Sequence, residues 1–318
     1  MDKRTGRRLF RIAAILAAAV IAVYTLAWLA FADVRYVTRA AIAEAGILSR
    51  RRSIAAVVDD PSTDPRVRSK LLVVLAARAF AKDSLDLAAG EAFTTYSELP
   101  SDTLVIVLSA ARNDRLEAWT WTWPVVGRVP YKGFFELEAA QIEAQKLERA
   151  GLDTYLRPAS AFSTLGWFND PLLSTTLRAD SVELVATVIH EILHNTLFVR
   201  GHVDFNESLA EFVGYHGAEL FFRSRGDTLH ASRAAARWRD ELVLERFWQH
   251  LEERLSRVYG SNAAPRTILE ERAVVFREAQ DQMRGPLAEE LRTISGKRMA
   301  ERPLNNAVLL AQRVYGTG

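Results

Sequence analysis

Residues 181–201 read SVELVATVIHEILHNTLFVRG, and the pattern His190-Glu191-Ile192-Leu193-His194 inside them decides how the rest of the chain is read. Residues i and i+4 of a helix lie one turn apart on one face, so His190 and His194 can offer two imidazoles to one ion. Glu191 stands beside that ion, where it can accept a proton from a metal-bound water without being a ligand. The segment carries helix signals at both ends: Asp180 is placed to cap its start with Glu183 three residues on, and Gly201 to stop it just past Arg200. Val185, Ala186, Val188, Ile189, Ile192 and Leu193 make this helix apolar nearly all round. Its polar face therefore enters an interior where His190, Glu191 and His194 need partners, and a metal ion supplies them.

A zinc site takes a third protein ligand and keeps a fourth position for water. The run from Asp204 to Glu211, DFNESLAE, opens a second helix after the turn at Gly201, with Asp204 or Asn206 as its cap. A helix, a tight turn and a returning helix bring Glu207 back toward the histidine face. Glu211 follows one turn further along. The expected set is His190, His194 and Glu207 on one Zn2+ per chain, with Glu211 either orienting an imidazole or standing as an exposed acid. Asn206 is the other candidate for supporting the ligands. His202 lacks the glycine bend that would make it a third histidine ligand and reads as a loop residue.

Working outward, the 318 residues suffice for a large domain with a sizeable core, and a composition 49% hydrophobic and 25% charged excludes wholesale disorder. The chain has no cysteine, which excludes disulfides, thiolate metal sites and a cysteine nucleophile, so any metal must use His and carboxylate. The net charge is +2, but Lys3, Arg4, Arg7, Arg8 and Arg11 outweigh Asp2 before residue 12, leaving everything after them net negative. The basic balance is thus no nucleic-acid footprint.

Ile12 to Phe31, IAAILAAAVIAVYTLAWLAF, carries no charge; as a helix at about 1.5 Å per residue it spans roughly 30 Å of hydrocarbon. The basic stretch before it suits a tail that stays in the cytoplasm while the body is exported. Ala30-Phe31-Ala32 also has the small-x-small pattern of a signal cleavage site. An anchored protein with its body in the periplasm or otherwise outside the cytoplasm, or a cleaved and secreted one, are the two readings. The chain divides into a basic tail (1–11), the apolar segment (12–32) and one domain (33–318).

Within that domain the sequence predicts a helix near 33–50, a turn at Asp59–Ser62, and an apolar helix from about Arg66 to Ala89. Strands are expected over Leu104–Leu108, Glu117–Trp123 and Asp153–Leu156, with a helix from Phe135 to Ala150 ended by Gly151. From Ser181 on, helices dominate. The expected fold class is α+β, predominantly helical, with a small sheet beside a helical mass.

Asn206-Glu207-Ser208-Leu209-Ala210 after the histidine pattern is the N-E-x-x-A arrangement of gluzincin metallopeptidases, and longer motifs point the same way. They are Trp123-Pro124-Val125-Val126-Gly127, Pro130 to Phe135 (PYKGFF), Ser163 to Thr175 (STLGWFNDPLLST), Phe205-Asn206-Glu207-Ser208 and Leu304-Asn305-Asn306-Ala307. In these motifs and their order the chain resembles the bacterial family described as putative aminopeptidases. The resemblance implies a zincin-like zinc peptidase with His190, His194 and Glu207 as ligands and Glu191 as general base. Thr122 and Arg128 stand where many members of that family carry cysteines.

The reaction so implied is peptide-bond hydrolysis on a peptide substrate. Tyr215, Tyr259 and Tyr315 are the candidates for stabilising the oxyanion, and spacing does not choose among them. Zincins place an edge strand before the zinc helix, which assigns Ser163, Thr164, Leu165 and Gly166 to backbone pairing with substrate, or else to a tight structural loop. Asp170, before Pro171, is a candidate for a substrate amine or ordinary turn chemistry. The alternatives are a catalytically idle zinc- or peptide-binding relative and a metal-free membrane scaffold. The intact Glu191 argues against the first, and the packed His/Glu cluster against the second.

Overall fold

The structure, a computed structural model, describes residues 3–99, 105–123, 127–159 and 171–314. It falls into two units, Met1–Arg51 and Arg52–Gly318. The first is a pair of helices. α1 (Lys3–Ala30) contains Phe10–Ala30, 21 residues none of which is buried, long and apolar enough to cross a membrane. α2 (Ala32–Ser49) follows, and Arg35 donates to the carbonyls of Trp28 and Leu29, each at 3.0 Å. Carbonyls in the last turn of a helix have no partner inside it, and a cation there both satisfies them and meets the negative end of the dipole. The division after Arg51 groups this helix with α1.

The second unit is α+β and predominantly helical. It begins with β1 (Arg52–Ser53), α3 (Ile54–Asp59) and α4 (Pro65–Asp83). Asp64 starts α4 by accepting from the N–H groups of Arg66 and Val67, and Pro65 sits where a missing N–H costs nothing. The helix stops at Asp83 rather than at Ala89, because the next residues turn left-handed at Asp86 and Gly90, with φ 54° and 46°.

β2 (Thr95–Ser97), β3 (Val105–Arg112), β4 (Trp121–Trp123), β5 (Gly127–Val129) and β6 (Tyr131–Phe134) come next. They are followed by α5 (Leu137–Arg149), β7 (Leu152–Ala159) and β8 (Leu172–Leu173). β3 is the centre of an antiparallel sheet, paired to β6 from Ile106↔Phe134 to Ser109↔Tyr131 and to β7 from Val105↔Ala159 to Arg112↔Leu152. Leu108 and Ala110 of β3 form one apolar cluster with Ala144 and Leu147 of α5, which buries the amphipathic helix against the sheet. The strand expected over Glu117–Trp123 is shorter: β4 pairs only with β5, and Ala118 makes a lone bridge to Ala111. A further small sheet has the order β1-β2-β8, with β2 and β8 parallel.

The helical part comprises α6 (Ser181–Thr196), α7 (Val203–Arg223), α8 (Thr228–Tyr259), α9 (Pro265–Arg284), α10 (Pro286–Glu290), α11 (Gly296–Met299) and α12 (Asn306–Val314). One core joins α4, α6 and α7 through Leu71, Val74, Leu184, Ile189 and Phe221. Another, built on Trp248, Leu255, Phe276, Met283 and Leu309, joins α8 to α9 and α12. The Leu304–Ala307 motif ties this second core to the sheet. Asn306 donates to the carbonyls of Arg112 (2.8 Å) and Arg115 (3.1 Å), accepts from the Tyr259 hydroxyl (2.9 Å), and gives its N–H to Asp153 (2.9 Å).

Asp240, fully buried on α8, holds the segment after α10. Its carboxylate accepts from the backbone N–H groups of Arg292, Thr293 and Ile294 and from the Thr293 hydroxyl, at 2.6 to 3.0 Å. Burial pushes the Asp240 carboxyl up, but these bonds prevail and hold it below its ordinary value of 3.8. Asp240→Ala leaves the donors without an acceptor and is expected to cost about 2–4 kcal/mol at neutral pH. A carboxyl depressed in the folded state stabilises above its unfolded value and loses that contribution as the pH falls through its folded value. The gap between parent and variant in urea midpoint should therefore be full at pH 7 and shrink below about pH 4.

Candidate metal centre

α6 starts where the sequence places it: the Asp180 carboxylate accepts from the N–H groups of Val182 (2.9 Å) and Glu183 (3.1 Å). It ends at Thr196, not at Arg200. The chain then crosses in a short connector, and Gly201 supplies a left-handed turn at φ 81° before α7 begins. Asn206 is not the cap of α7, which starts at Val203. Its side-chain amide instead makes both possible bonds to Val199, accepting from the N–H and donating to the carbonyl, each at 2.8 Å. That pairing fixes the connector against the first turn of α7 and so positions the next residue, Glu207.

α7 then returns along α6. Glu207 faces His190 and His194, Gly214 faces Ala186 and His190, and Tyr215 faces Glu183. The approach is close enough to exclude a side chain at position 214, where a Cβ would lie 2.8 Å from the Ala186 carbonyl oxygen and 3.3 Å from the His190 Cβ. Gly214→Ala must push the helices apart at the turn that carries His190. We expect a loss of about 1–3 kcal/mol, read as a lower thermal midpoint.

The result is a convergent donor set. The Nε2 atoms of His190 and His194 are 3.2 Å apart, and the Glu207 oxygens lie 3.4 Å from the first and 3.5 Å from the second. One donor atom from each residue fits within 4.8 Å of the others, so the group could hold a metal ion. All three side chains are half-buried, and Glu191 beside them is exposed. The cluster is thus solvent-accessible on the side of Glu191. Two imidazole nitrogens and a carboxylate are a donor set that zinc takes in catalytic sites.

The three side chains are electrostatically coupled. Burial lowers the His190 pKa, but its bond to the Glu207 carboxylate and the charges of Glu191, Glu207 and Glu211 outweigh it, and the pKa is raised. His194 is lowered, by burial and by the charge of His190. Glu207 is lowered, chiefly by its bond to His190. The buried Nδ1 of His194 has no hydrogen-bond partner among the described residues.

The other site residues read from the sequence are placed differently. Glu211 lies near enough for its charge to act on His190, but burial and the neighbouring Glu241 push its carboxyl up to about 8. Tyr215 is buried and its hydroxyl donates to Glu183 at 3.1 Å, two turns before His190. Tyr259 bonds Asn306 and accepts from Arg272 at 3.1 Å, in the lock between sheet and helices. A buried hydroxyl needs a partner, and both tyrosines have found theirs away from the histidines. Ser163, Thr164, Leu165, Gly166, Asp170 and Tyr315 lie outside the described residues. His202 is exposed at the start of α7.

Two neighbours were not singled out from the sequence. Arg237 on α8 donates to Glu241 at 2.9 Å and approaches Glu183 to 3.8 Å, under Glu211 and Tyr215. An Arg and Glu four apart on a helix read as an ordinary surface pair; only the packing of α8 on α7 buries them.

The family model described as "Putative aminopeptidase" matches residues 35–318. The chain belongs to that family. Membership supports a peptidase, hence hydrolase, role and covers both the sheet and the helices that carry the cluster. No curated protein and no solved structure matches the chain.

Proposed function

We propose that this aminopeptidase-family protein is a zinc-dependent peptidase of gluzincin type and zincin-like fold, tethered by Phe10–Ala30 with its body outside the cytoplasm. The observation that carries the reading is the convergence of His190, His194 and Glu207 beside an exposed Glu191. His190 and His194 present their Nε2 atoms to the ion and Glu207 presents its carboxylate, with Asn206 holding the turn that aims it. Zinc bound there supplies Lewis-acid polarisation of the scissile carbonyl and a lower pKa for the attacking water. Glu191 accepts the proton released as the water oxygen bonds to the carbonyl carbon, and donates it to the amine as the C–N bond breaks. The oxygen stays on the new acyl carbon, and the water's second proton follows through Glu191 to the amine, leaving a carboxylate and an ammonium N-terminus. For the tether, the basic residues before Phe10 support a cytoplasmic tail.

The test is cleavage of a defined peptide set by the full chain in detergent, read by mass spectrometry. We expect hydrolysis that stops with a chelator and returns with Zn2+, and that requires a free α-amine. Cleavage indifferent to the chelator contradicts the metal; cleavage of N-acetylated peptides contradicts aminopeptidase action alone.

A further inference from the structure

The segment that leaves the histidine cluster is apolar and uncovered. Every residue from 195 to 205 is exposed. Five of them are large and apolar: Leu197 (44% exposed), Phe198 (56%), Val199 (37%), Val203 (50%) and Phe205 (50%). A contiguous apolar patch of this kind marks a binding surface, whereas single exposed apolar residues do not. The segment is also braced. Leu197 N–H donates to the Leu193 carbonyl at 2.8 Å, His202 N–H to Val199 at 3.2 Å, and Asn206 clamps Val199 from both sides. Its exposure is therefore a property of a held conformation.

The patch begins at the cluster itself. The Phe198 ring lies edge-on to the His194 ring, with centroids 6.0 Å apart and planes at 78°, and more than half of its surface is free for another contact. A peptide carbonyl held at the cluster has its flanking residues about 3.8 Å away per Cα step, which brings a large side chain on one of them against Phe198. We propose that this connector is the specificity wall of the site, with Phe198 at its centre, and that it receives a large apolar side chain such as Leu, Phe or Met flanking the scissile bond. The continuity with the histidine cluster selects this occupant. The inference rests on the peptidase reading above and deepens it to a substrate class.

The experiment compares kcat/KM of the full chain in detergent and in proteoliposomes on peptides that differ only in Leu, Phe, Ala, Lys or Glu beside the bond. The variants are Phe198→Ala, Phe205→Ala and, as a control, Leu229→Ala, which alters a 76% exposed residue of α8. The expected parent prefers Leu and Phe. Phe198→Ala should lose about tenfold on those peptides and little on Ala, in line with what an apolar pocket contributes to discrimination, with Leu229→Ala unchanged. An equal rate on all peptides, or a Phe198→Ala variant with the parent's preference, overturns the wall. A loss seen only in proteoliposomes and equal for all peptides assigns the connector to the bilayer and overturns it as well. If the folded parent cleaves nothing in the set, the peptidase reading fails and the wall falls with it.

Discussion

Glu191→Gln is expected to abolish peptide hydrolysis while leaving metal content and fold intact. The substitution keeps the shape of the side chain and removes only its capacity to take a proton. Glu191 is exposed and is not among the residues whose donor atoms converge, so neither packing nor ligation should suffer. A positioned general base contributes about 10²–10⁴-fold, and a loss of that size should fall on kcat with KM nearly unchanged. Initial rates of parent and variant, with zinc measured on the same samples, test it. A variant that hydrolyses peptide as fast as the parent removes Glu191 from the mechanism.

The second large effect is on stability. An ion that binds the folded chain alone stabilises it by mass action, about 4 kcal/mol at a thousandfold excess over Kd. Zn2+ should therefore raise the thermal midpoint of the parent by many degrees. Glu207→Ala removes a proposed ligand, so its midpoint should respond little to Zn2+. Equal shifts in parent and Glu207→Ala exclude Glu207 as a ligand.

What the sequence disclosed was what is local. His190 and His194 share a face by helical spacing, and Asp180 caps α6 because its side chain reaches only two and three residues ahead. The return of Glu207 was legible as far as the chain must turn back. That α7 lies close enough for the contact depends on Gly214, whose role shows only when the Ala186 carbonyl is placed opposite it. α6 ends early at Thr196, and the connector after it is held by Asn206, whose clamp on Val199 has no sequence signature. Tyr215 and Tyr259 were open candidates until their hydroxyl partners, Glu183 and Asn306, came from other elements. β1, β2 and β8 are two or three residues long, too short for alternation to mark them.

The most direct measurement is zinc per chain, by elemental analysis of the full-length protein and of its His190→Ala and Glu207→Ala variants. One equivalent is expected in the parent and a loss in both variants, each still folded by circular dichroism. A folded parent that carries no zinc and takes none up, or a Glu207→Ala variant that keeps its full equivalent, contradicts the proposed zinc site.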